Sequence, residues 1–322
     1  MKARFVGALL MAAAACLAGA ANGATVEPGR IDTADGPRSY LLARPEAAIT
    51  GPRPLVILLH GHGGSAALTL GRGGRVSPLA SWLAIADRER ILVAAPDGAV
   101  GADRQRGWHD CRRDARNNPA TDDVGFIAAL VRRLVDQGAA DPSRIYAMGM
   151  SNGGMMTFRL ALELDPPLAA FAAASSSMAA DSLCGPARRP VSALLIAGTD
   201  DPLVPFNGGG VGFGPKDRGA VVGIEAAADF WRRADGIGDL PIVTALPHRE
   251  ASDPTRVTVE LWGDNRQGPQ VELVRIDGGG HVEPSLNQHY GPFYGRMVGR
   301  QNRDLEAAEE AWRFFRDKRA AP

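Results

Sequence analysis

The chain has 322 residues, 45% of them hydrophobic, enough to bury one sizeable α/β core. Its 36 basic and 36 acidic side chains cancel, which excludes the strong positive field of a nucleic-acid or anionic-membrane binder. No Cys-x-x-Cys, His-Glu-x-x-His or EF-hand pattern occurs, so neither a protein-built metal site nor a cofactor is expected.

Met1-Lys2-Ala3-Arg4 carries two positive charges and leads into small apolar residues from Phe5 to Ala21, ending at Ala21-Asn22-Gly23. That order predicts a secretory signal over residues 1–23, too short for a membrane anchor, and a single catalytic domain over residues 24–322. The expected location is secreted or periplasmic, with no membrane span. Lipid attachment through Cys16 is the lesser alternative, because no bulky aliphatic residue stands three positions before it. Cys111 and Cys184 remain beyond the signal, as a possible disulfide or as two buried thiols.

Short apolar runs then alternate with helical patterns, which predicts a mostly parallel central sheet with helices on both faces. Strands are expected at residues 39–43, 55–59, 91–95, 145–148, 170–174, 193–197, 257–262 and 271–276. Asp122 caps a predicted helix with Val124, Ile127, Val131 and Leu134 on one face, closed by Gly138. Further helices are expected from Ser151 to Pro166, from Ile224 to Ala234 and from Asp304 to Arg316. Ala99 to Thr121 reads as a long arginine-rich loop at a strand's carboxyl end, where open α/β sheets place ligands. It is either a solvated excursion or part of the site. Asn207 to Gly214 reads as a flexible glycine loop, since no P-loop lysine follows.

Gly149-Met150-Ser151-Asn152-Gly153 matches G-x-S-x-G between a predicted strand and a predicted helix. With 39 glycines, chance gives such a match in roughly one chain in five, so context must decide. A serine hydroxyl needs a histidine base, and the base needs a carboxylate to fix its tautomer. His281, after Gly278-Gly279-Gly280 and the last strand, is the expected base; His289 fits less well. Asp200 and Asp201 compete for the acid's place, with Asp201 preferred and Asp200 expected to cap the turn. The oxyanion donors are assigned to the backbone N–H groups of Asn152 and His62, the latter in His60-Gly61-His62-Gly63-Gly64. Trp108 is a candidate flat surface for substrate, or else a core residue.

These motifs, with Pro96-Asp97-Gly98, Gly107-Trp108, Asp122-Asp123-Val124-Gly125-Phe126 and Gly198-Thr199-Asp200-Asp201-Pro202, occur in a fixed order. The chain thereby resembles the secreted polyhydroxybutyrate depolymerase and feruloyl esterase group of α/β-hydrolases, from about residue 36 to 281. The resemblance implies the α/β-hydrolase fold, Ser151, Asp201 and His281 as a catalytic triad, and an ester substrate of a hydroxy acid or aromatic acid. It departs after the histidine, where Val282-Glu283-Pro284 replaces the Thr-Trp-Pro turn frequent in the group. A peptidase or acyltransferase on the same fold, or a non-catalytic binding protein, are the alternatives.

Overall fold

The computed structural model describes residues 24–47, 50–213 and 218–320. The expected signal at residues 1–23 lies outside the described residues. A hairpin opens the fold, with β1 (Thr25–Thr33) antiparallel to β2 (Gly36–Arg44). Next come β3 (Arg53–Leu59), α1 (Ala66–Thr69), a 3₁₀ turn at Pro78–Ser81, α2 (Trp82–Arg88) and β4 (Leu92–Pro96). The arginine-rich segment holds a small hairpin of β5 (Ala99–Val100) and β6 (Arg106–Gly107). After it run α3 (Asp123–Asp136), β7 (Ala140–Met150), α4 (Asn152–Glu163), β8 (Ala170–Ala174) and β9 (Ser192–Gly198). The glycine loop supplies β10 (Gly208–Gly210), paired with β11 (Ala220–Val222). The chain closes with α5 (Ile224–Ala234), β12 (Ile242–Ala245), β13 (Arg256–Trp262), β14 (Val271–Asp277), α6 (Pro292–Val298) and α7 (Ala307–Phe315).

Ten strands make one sheet in the order β1-β2-β4-β3-β7-β8-β9-β14-β13-β12. The six from β4 to β14 are parallel, and an antiparallel ribbon extends the sheet at each end. Successive strand residues face opposite sides, so each central strand feeds two cores. Leu55, Ile57, Phe171, Leu195 and Leu273 pack under α3, α4 and α5, with Phe126, Phe158 and Trp231. Val56, Leu58, Tyr146, Leu194 and Val274 pack under α2 and α7, with Trp82, Trp312 and Phe315. This is the α/β-hydrolase fold, as expected. Asp122 caps α3 by accepting the Gly125 N–H at 2.8 Å, as its sequence position predicts. Among the described residues no helix is long and apolar enough to cross a membrane.

Candidate active site

Ser151 stands between β7 and α4 with φ 56° and ψ −124°, a conformation a non-glycine residue holds only when its surroundings enforce it. The enforcement is visible in its neighbours. A Cβ on Gly149 would sit 2.3 Å from the Gly153 carbonyl carbon, and one on Gly153 would sit 2.3 Å from the Leu59 oxygen. Only glycine lets helix and strand approach that closely, and the serine is pushed out at the turn. Its own N–H is fixed to the Ala174 carbonyl at 2.9 Å.

Asp201 follows β9 and His281 follows β14. Since β7, β8, β9 and β14 are neighbours, all three residues leave the same carboxyl edge of the sheet. The His281 Nδ1 lies 2.8 Å from Asp201 Oδ2, and both side chains are buried. The other oxygen of Asp201 accepts the N–H groups of Leu203 and Val204, each at 2.8 Å. The capping expected of Asp200 is therefore performed by Asp201. Asp200 is exposed, with Arg300 4.0 Å away. The loops of acid and histidine meet directly: the Asp200 N–H reaches the Gly279 carbonyl at 2.9 Å, and a Cβ on Gly198 would overlap that carbonyl at 2.3 Å. With Nδ1 turned to Asp201, Nε2 is the nitrogen left for a substrate or hydroxyl proton.

The loop after β3 lies against the serine, for a Cβ on Gly61 would stand 3.5 Å from Ser151 Cβ. His60 holds this loop in place. Its Nε2 accepts the Gly98 N–H at 2.9 Å, so Nδ1 carries the proton and donates to the Gly61 carbonyl at 2.7 Å. Burial pushes its pKa down to about 4, and the ring is neutral. Asp97 ties the same loop by accepting the Ala66 N–H and the Ser39 hydroxyl. His62 sits half-buried with Nε2 2.8 Å from Asp103, close but not aligned as a hydrogen bond. Burial lowers its pKa, and Arg218 lowers it further. Among the described residues no backbone carbonyl takes the His62 N–H. The Asn152 N–H opens α4, where helix geometry provides no acceptor.

Of the two expectations for Trp108, the core residue is the one the structure bears out. Its ring is wholly buried, its indole N–H donates to the His60 carbonyl at 2.9 Å, and it packs on the His60 ring with centroids 4.9 Å apart. It braces the loop after β3 and offers no surface to a substrate.

The arginine-rich segment is solvated at Arg104, Arg106, Arg113 and Arg116, while its middle is buried and anchored. Asp110 is buried and receives the Arg112 guanidinium at 2.7 Å, the Asn152 amide at 2.7 Å and the Asn118 amide at 3.1 Å. Asn152 in turn accepts the Trp108 N–H at 2.7 Å and donates to its carbonyl. Cys111 and Cys184 form a disulfide with Cα atoms 5.4 Å apart, tying the segment to the loop after β8. The polar hub of Asp110, Arg112 and Asn152 was not legible as a unit, because it joins residues up to 42 positions apart in the chain. Glu283 was noted only as a departure. It is buried, its pKa is raised by that burial, and it accepts the Tyr290 hydroxyl at 3.2 Å. His109 belongs to the same segment, its Nδ1 3.2 Å from the Thr121 carbonyl, and His248 pairs with Asp304 at 3.1 Å.

The chain is 30% identical over 303 residues to "Putative esterase NocK" of Nocardia uniformis subsp. tsuyamanensis, covering 91% of this chain and 83% of that one. The chain belongs to the α/β-hydrolase esterases. It is 30% identical over 198 residues to feruloyl esterase B of Piromyces equi, covering 60% of this chain and 34% of that longer protein. Residues 79–180 match the prolyl oligopeptidase family. Among solved structures, acetyl xylan esterase from Aspergillus awamori aligns with a TM-score of 0.53 at 14% identity, over 84% of this chain and 98% of that one. That likeness is one of fold.

Proposed function

We propose that this esterase is a secreted serine carboxylesterase in which Ser151 is the nucleophile, His281 the base and Asp201 its orienting acid. The observation that carries the reading is the buried 2.8 Å Asp201–His281 pair at the sheet edge from which the strained Ser151 projects. Asp201 holds the proton of His281 on Nδ1 and stabilises the imidazolium. Nε2 then takes the hydroxyl proton as Ser151 Oγ attacks the ester carbonyl. The oxyanion is received by the N–H groups of His62 and Asn152, which are worth about 3 kcal/mol each in such a site. Collapse breaks the bond to the alcohol oxygen, and His281 returns the proton to it. Water, deprotonated by the same imidazole, cleaves the acyl-enzyme and frees the acid and Ser151. No cofactor enters any step.

The substrate class proposed is an ester of an aromatic acid or a hydroxy acid, small or polymer-derived. The feruloyl esterase relative supports the first. Secretion is supported by the charged and apolar start of the sequence and by the disulfide.

Hydrolysis of p-nitrophenyl acetate by the wild type and Ser151→Ala tests the reading. The variant should lose at least a thousandfold in kcat while keeping its melting temperature. An organophosphonate should label Ser151 alone, read by peptide mass spectrometry. Equal rates in the two proteins would remove Ser151 from the mechanism.

A further inference from the structure

Ser151 opens into a narrow cleft lined by His62, Arg112, Asn117, Asn152, Val211 and Arg218, among others. No carboxylate is among its described lining residues. Two guanidinium groups face it, and they differ in kind. Arg112 is buried and bound to Asp110 through both Nε and Nη2, and it also donates to the Arg218 carbonyl. Its charge is neutralised and its fork is filled. Arg218 is 42% exposed. Among the described residues its guanidinium has one anionic neighbour, Asp103 Oδ2 at 3.7 Å, beyond hydrogen-bond length. That oxygen also faces His62 at 2.8 Å. The stem of Arg218 is seated, since a Cβ on Gly212 would meet its Cδ at 3.1 Å. The head group is thus placed at the nucleophile's cleft, and among the described residues none accepts a hydrogen bond from it. The His62 pKa is lowered mainly by burial, with Arg218 adding to the effect and Asp103 opposing it.

We propose that Arg218 selects esters carrying a second, ionised carboxylate a few bonds from the scissile carbonyl. The inference rests on the esterase reading above and narrows its substrate class. A guanidinium binds a carboxylate through two parallel N–H donors, which fixes orientation as well as charge. A neutral ester in the same cleft leaves that fork to water and forgoes the charge-assisted pair. Such a carboxylate occurs on the acyl side in the half-esters of short dicarboxylic acids. It occurs on the alcohol side at the terminal unit of a hydroxy-acid oligomer. Simple alkyl esters of aromatic acids lack it.

Two matched pairs, followed by pH-stat titration, separate these cases. Monomethyl glutarate against methyl valerate places the charge on the acyl side, and 3-acetoxybutyrate against sec-butyl acetate places it on the alcohol side. The wild type should favour the charged member of at least one pair by about tenfold or more in kcat/KM, or about 1.4 kcal/mol. The preference should shrink with added salt, because the head group is solvent-accessible. Arg218→Met should reduce the charged-to-neutral ratio about tenfold, and Arg218→Lys should restore part of it. Reading a ratio within each protein cancels any difference in folded fraction. A wild type that favours the neutral member of both pairs, or a ratio that survives Arg218→Met, would overturn the proposal. Failure of the wild type to hydrolyse any ester faster than Ser151→Ala would overturn the esterase reading itself, and this inference with it.

Discussion

Two adjacent aspartates illustrate what one residue's geometry decides. Asp200 and Asp201 share a type and a turn, but only Asp201 is buried against an imidazole. Its two oxygens divide the work: one fixes the turn through the Leu203 and Val204 N–H groups, the other faces His281. Asp201→Asn keeps the size and presents an amide that favours the wrong tautomer, so kcat should fall by about a hundredfold to ten-thousandfold. Asp200→Asn changes an exposed side chain and should stay within about twofold. Steady-state kinetics on both variants checks the pair of outcomes, and the reverse order would transfer the acid's role to Asp200. The sequence narrowed the choice to these two, and the following proline favoured the second only through resemblance. Trp108 shows the opposite case. Nothing in Gly107-Trp108 says that His60 will cover the ring, because that contact joins residues 48 apart in the chain. Trp108→Phe removes one buried hydrogen bond and should cost about 1–2 kcal/mol in chemical denaturation.

At the scale of elements, the arginine-rich segment was the hardest stretch to read. It lacks an apolar period because polar contacts, not a hydrophobic face, give it its shape. Asp110 gathers a guanidinium and two amides, and the disulfide anchors the next residue to the loop after β8. Further links run alongside, with the Leu183 N–H on the Cys111 carbonyl at 2.7 Å and the Arg113 N–H on the Asp181 carbonyl at 3.0 Å. The closed loop spans 73 residues, for which chain entropy alone gives the disulfide about 4 kcal/mol. Reduction, or the double change Cys111→Ser and Cys184→Ser, should therefore lower the melting temperature by roughly 8 °C or more. It should also reduce kcat, because Asn152 and Trp108 rest on the same segment. Calorimetry with and without reductant measures the first effect; an unchanged melting temperature would show that the polar hub alone holds the segment.

Across the whole molecule, the six central parallel strands and their antiparallel neighbours β2 and β13 were legible, and the edge strands β1 and β12 were not. Central strands are buried on both faces and must be apolar, whereas β12 is exposed at all four residues and β1 carries Pro28 and Gly29. An edge strand with one partner tolerates such residues, so its sequence does not announce it. Buried carboxyls are equally silent in a sequence, and here they give stability a pH dependence. Asp235 ends α5, accepts the Val191 N–H at 3.2 Å, and leaves Oδ2 without a partner among the described residues. Burial pushes its pKa up to about 7, against the Val191 hydrogen bond. Glu272, beside Arg313 and Glu310, is raised to about 7 for the same first reason. An acid whose pKa is higher folded than unfolded binds its proton more tightly when folded. Its contribution is therefore complete below the unfolded value near 4 and is lost as pH rises toward 7. Asp235→Asn keeps an acceptor for Val191 and removes the ionisation. Relative to the wild type it should gain about 1–2 kcal/mol between pH 4 and pH 8, a figure reduced for partial solvent access. Urea denaturation of both proteins at pH 5 and pH 8 isolates this group from Glu272. A difference between them that does not change with pH would mean that Asp235 ionises as freely in the folded protein as in the unfolded chain.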